Sequence, residues 1–82
     1  MDIVKGQVVI SKAGRDKGYF LAVTDVKGNT VTVVDGKERP LERPKQKNIR
    51  HVAVTKRTLT ESQMATNREL RRQLRLECGE EG

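Results

Sequence analysis

Two strand-like runs, residues 6–12 and residues 19–27, are separated by one short loop bounded by Gly14 and Gly18. A connection this short makes the runs antiparallel neighbours and leaves the rest of a small chain to cover them. In the first run Val8 and Ile10 share one face while Gln7, Val9 and Ser11 take the other, the period of a half-buried strand. Glycine accepts positive φ and close backbone approach, so Gly14 and Gly18 suit a compact loop that projects Arg15 and Lys17, with Asp16 between them tempering the charge.

Downstream, Gly28 and Asn29 supply a two-residue turn between the second run and Thr30–Val34. Asp35-Gly36 is a second hairpin signal, of the type I′ class. Pro40 and Pro44 cannot donate to a ladder, so residues 37–44 read as an edge strand or an irregular arm with Leu41 as its core contact. Residues 49–54 offer Val52 and Val54 as a final short strand. Five such strands in an 82-residue chain suit one mainly β domain, a small SH3-like barrel over residues 1–57.

A C-terminal helix and acidic tail occupy residues 58–82. Thr60-Glu61-Ser62-Gln63 fits a capping box, Leu59 and Met64 fit a hydrophobic staple, and Gly79 supplies a stop after about Glu77. Gln63, Asn67, Leu70, Leu74 and Cys78 share one face, Arg68, Arg71, Arg72 and Arg75 the adjacent one, and Glu69 and Glu77 point away from the arginines. The leucine stripe is narrow, which predicts weak docking and a helix able to stand off the barrel until a partner arrives.

The stretch from Gly6 to Val23, with its strand, basic loop and Gly18 opening the second strand, resembles a KOW motif. The continuations Ala22-Val23-Thr24-Asp25-Val26 and Val33-Val34-Asp35-Gly36 extend the likeness. The chain is similar to the short KOW proteins of bacteria, relatives of an archaeal and eukaryotic large-subunit ribosomal protein of the fourteen-e type, over its first two thirds. It departs from the eukaryotic relatives in ending with Glu77, Glu80 and Glu81 where they carry a long basic extension. The resemblance implies RNA contact through the Arg15 and Lys17 loop, large-subunit ribosomal RNA as partner, neighbouring ribosomal proteins as further contacts, and a monomer when free. A NusG-type KOW adaptor, docking protein through Leu70 and Leu74, is the other implied role.

Net charge is +6, and its distribution matters more than its size. Residues 37–57 carry Lys37, Arg39, Arg43, Lys45, Lys47, Arg50, Lys56 and Arg57 against only Glu38 and Glu42, whereas the flanking segments are close to neutral. Clustered Lys and Arg recruit phosphate by Coulomb attraction and counterion release. The candidate RNA-binding set is therefore Lys12, Arg15 and Lys17 of the loop, the eight cations of the arm with His51, and Arg68, Arg71, Arg72 and Arg75 of the helix. Plainer readings stand beside each: a solvated turn, an edge protected from aggregation, and an exposed helix face with a Glu69 and Arg72 pair.

With Tyr19 and Phe20 the only aromatics, one of them a core residue, a base-stacking sheet is poorly supported, and folded RNA read by phosphate and shape is the better match. His51 has no Cys or Glu set at ligand spacing, so neither a metal, a cofactor nor an enzymatic centre is expected. The lone Cys78 suits a cytoplasmic setting, and the sequence has no run apolar enough for a signal peptide or a membrane span.

Overall fold

The computed structural model describes residues 3–77, in which five strands form one antiparallel sheet followed by a single α-helix. Strand β1 is Gln7–Ser11, β2 Phe20–Lys27, β3 Thr30–Val34, β4 Lys45–Asn48 and β5 Val52–Thr58, hydrogen-bonded in the order β4-β3-β2-β1-β5. A 3-10 turn, Ile49–His51, joins β4 to β5 although they are opposite edges of that order. The edges of a flat five-stranded sheet lie about 19 Å apart, while the four Cα steps from Asn48 to Val52 reach about 15 Å at most. The sheet therefore curls into a barrel-like form. Register shifts in the β1/β5 pairing between Gln7 and Val9, and in the β2/β3 pairing between Val23 and Asp25, supply local bends.

Curling gives the sheet an inner and an outer apolar face. Val9, Leu21, Val23, Val31, Val33 and Val52 fill the inside. Val8, Ala22 and Val34 face outward and are covered by Leu59, Leu70 and Leu74, with Phe20, Leu41 and Met64 at the margin. The first strand is thus buried on both sides, not on one as its alternation suggests.

The helix α1, Asn67–Glu77, is docked, which corrects the expectation of a helix standing off the barrel: Leu70 is completely buried and Leu74 nearly so. Its start also differs. The Thr60 capping box forms, with the Thr60 amide donating to Gln63 Oε1 at 2.9 Å and the Gln63 amide to Thr60 Oγ1 at 3.3 Å, but it closes only a 3-10 turn, Ser62–Met64. The α-helix begins at a second cap, where the Glu69 amide donates to Thr66 Oγ1 and the Leu70 amide to the Thr66 carbonyl. The break has a packing reason. In one continuous helix Met64 and Leu70 would point about 120° apart, yet both pack on the same sheet face. The Gly79 stop, Cys78, Glu80 and Glu81 lie outside the described residues.

Residues 37–44 are turns, not a strand, and the Asp35-Gly36 signal is not a type I′ hairpin because Asp35 does not take positive φ. Instead Asp35 Oδ1 accepts from the amides of Lys37 and Arg39 at 2.8 and 2.9 Å, folding the chain back on itself. The fourth strand forms later, at the polar residues Lys45–Asn48, and the final one starts at Val52 after the 3-10 turn, which Asn48 Oδ1 caps through the Arg50 amide. No described helix is long and apolar enough to cross a membrane.

Candidate nucleic-acid interface

Strand register carries several cationic segments to one end of the sheet. Ser11 closes β1 and Phe20 opens β2, so residues 12–19 lie at that end. Ala22 pairs with Val34 and Val33 with Lys45, which brings the exit of β3 and the entry of β4 beside them. Val52 pairs with Ser11, and the Lys12 amide donates to the His51 carbonyl at 2.8 Å, so the His51 end of the 3-10 turn adjoins the loop, while the Ile49 amide holds its start to the Asn29 carbonyl at the other end of the sheet, with Arg50 between. Lys12, Arg15, Lys17, Lys37, Arg39 and His51 are all exposed along this edge, Lys45 is half-buried, and Arg50 is exposed in the turn that leads to it.

The loop is internally tied. The Ser11 amide donates to the Tyr19 carbonyl, the Gly18 amide to the Ser11 carbonyl, the Lys17 amide to the Gly14 carbonyl and the Tyr19 amide to the Asp16 carbonyl, at 2.8–3.2 Å. At its centre Asp16 accepts from the Ser11 hydroxyl at 2.8 Å and from Lys47 Nζ at 3.1 Å, while the same ammonium lies 3.1 Å from the Ala13 carbonyl. Burial pushes the Asp16 carboxyl up, but the Ser11 and Lys47 hydrogen bonds and the charges of Lys47 and Lys45 outweigh it, leaving it below the usual aspartate value. Arg15 and Lys17 flank this anchor and project to solvent. Gly18 takes φ +89° with no atom within 4 Å of where a Cβ would stand, so the position requires a backbone conformation, not space.

Three of the sequence-derived cations serve the fold. Lys47 is buried at 8% exposure with its ammonium engaged by Asp16 and Ala13, which removes it from the outer surface. An alternating reading of a polar strand places such a lysine in solvent; only the facing carboxylate allows it inside. Arg71 donates to the Gly36 carbonyl at 2.7 Å, and Arg57 to Gln73 Oε1 at 2.6 Å, each tying α1 to the β domain. Lys56 and Arg57 also run with β5 toward the Gln7 end of β1, away from the loop. Arg43, Arg68 and Arg72 are exposed. Arg72 approaches Glu69 at 3.9 Å, so Glu69 does not point away from the arginines, although so exposed a pair contributes little.

Tyr19 was the residue that composition hid. Its neighbour Phe20 is partly buried at the margin of the helix-covered cluster, and the alternation leaves Tyr19 at 52% exposure beside the loop cations. It lines two adjoining grooves: one of about 410 Å³ against Lys37, Arg71 and Arg75, and one of about 160 Å³ against Arg15, Arg39 and Lys45. Strand alternation at the Tyr-Phe pair is the signal that distinguishes the two rings.

Compared with known proteins, the chain matches no family model and no curated protein.

Proposed function

We propose that the protein binds RNA without catalysing a reaction on it, as a ribosomal or ribosome-associated protein of the cytoplasm whose target is large-subunit ribosomal RNA. The observation that carries this reading is the convergence of Lys12, Arg15, Lys17, Lys37, Arg39 and Lys45 on one end of the sheet, around a loop held by the Asp16 and Lys47 pair. Cations presented on a pre-formed frame neutralise several phosphates with little ordering cost, which gives affinity that falls steeply with salt. The KOW-like character of residues 6–36 supports the choice of ribosomal RNA among polyanions.

A protein-docking adaptor is less well supported. It needs the Leu70 and Leu74 face, and those side chains pack on the sheet.

Sedimentation of cell extract through a sucrose gradient tests the proposal. The protein should travel with the large ribosomal subunit at low salt and move to the top of the gradient at high salt. Recovery at the top under low salt, or with RNA polymerase, contradicts it.

A further inference from the structure

Tyr19 is the one described aromatic side chain at the surface, and it stands where the two cationic grooves meet. Its backbone is fixed on both sides, the amide to the Asp16 carbonyl and the carbonyl to the Ser11 amide, both at 2.9 Å. The ring is thus presented from an ordered position. An aromatic face between two sets of cations matches the repeating pattern of single-stranded nucleic acid, in which a π-faced base alternates with a phosphate. Two of the carboxylates near the grooves are engaged: Asp35 Oδ1 by the Lys37 and Arg39 amides, Asp16 by Ser11 and Lys47. Glu38 is the remaining acidic group and lines both grooves. The cations fall into two sets by groove, Lys37 with the helix arginines Arg71 and Arg75 in one and Arg15, Arg39 and Lys45 in the other.

We infer that Tyr19 is the stacking platform for one unpaired base of the bound RNA, with the phosphates on either side of that nucleotide resting on the two cation sets. The inference rests on the RNA-binding proposal and refines it: the target presents a single-stranded or bulged nucleotide at this end of the protein, in addition to the backbone of folded RNA.

The chain contains one Tyr and no Trp, so intrinsic tyrosine emission reports on this ring alone. A short single-stranded oligoadenylate, an RNA duplex of the same length and inorganic polyphosphate are titrated into wild type, Tyr19→Ala and Tyr19→Phe at low salt. Oligoadenylate should quench the emission, whereas polyphosphate should bind without quenching. Tyr19→Ala should weaken oligoadenylate binding by about 5- to 100-fold and leave polyphosphate binding unchanged, and Tyr19→Phe should bind like wild type. Tyr19→Ala binding oligoadenylate as tightly as wild type overturns the stacking inference while leaving RNA binding intact. Failure of wild type to bind either RNA overturns the RNA-binding proposal itself, and the stacking inference with it.

Discussion

Lys47 reaches from the fourth strand to place its ammonium 3.1 Å from the Asp16 carboxylate, beneath the loop that displays Arg15 and Lys17. Both side chains are largely withdrawn from water, with 6% and 15% exposure, so neither charge tolerates loss of the other. Replacing one partner costs about 1–3 kcal/mol, since the other loses its counter-charge and keeps only the Ala13 carbonyl, for Lys47, or the Ser11 hydroxyl, for Asp16. Asp16→Asn and Lys47→Ala should each lower the urea midpoint strongly, and the double variant should lose less than the sum of the two. Additive losses would show that the pair is not coupled.

The same pair sets an acid dependence. The Asp16 carboxyl titrates below its usual value in the folded protein because the Ser11 and Lys47 interactions outweigh its burial, whereas in the unfolded chain it titrates in the ordinary aspartate range. Its contribution is therefore complete above that range and disappears as pH falls through the lower folded value. Thermal midpoints of wild type and Asp16→Asn, measured from neutral pH downward, should stay apart until about pH 4 and converge below it. A gap that remains constant into strong acid would contradict this.

Gly36 is the point where α1 rests on the barrel. It takes φ +80°, and a Cβ there would meet the Asn67 carbonyl oxygen, Leu70 Cβ at 3.0 Å and Arg71 Cγ at 3.2 Å. Gly36→Ala adds this collision to the backbone strain, while Gly18→Ala incurs strain alone, about 1 kcal/mol. Gly36→Ala should be the more damaging in urea unfolding and should speed amide exchange in α1. Equal effects would mean that the helix is not seated as described.

Leu70 gives an independent reading of the same docking. Fully buried between α1 and the outer sheet face, it should cost about 2–5 kcal/mol when changed to Ala. A helix that merely stood near the barrel would give well under 1 kcal/mol.

Much of the barrel is legible in the residues themselves. Alternation and β-branching mark the first three strands, and the glycines mark the loop between the first two. The fourth strand is not legible, because Lys45, Gln46, Lys47 and Asn48 show no apolar period; it exists through pairing with the edge of β3 and through one inward lysine whose charge is met by Asp16, distant in sequence. The helix start is misread because two caps compete, at Thr60 and at Thr66, and only the demand that Met64 and Leu70 reach one sheet face selects the second. For the interface, the loop cations can be read from the chain, but the withdrawal of Lys47 and the structural hydrogen bonds of Arg57 and Arg71 depend on tertiary partners. The opposite fates of Tyr19 and Phe20 follow from strand alternation at a position where composition alone counted two aromatics.

RNA binding by the loop end of the sheet is tested most directly by salt titration on a structured fragment of large-subunit ribosomal RNA. Wild type is compared with a variant in which Arg15, Lys17 and Arg39 are changed to Ala, all exposed and outside the Asp16 and Lys47 anchor. Log affinity should fall linearly with log salt for both proteins, and the variant should bind more weakly with a slope shallower by about 2 to 3, corresponding to the lost phosphate contacts. A variant that retains wild-type affinity and an unchanged slope would contradict the assignment of this surface to RNA.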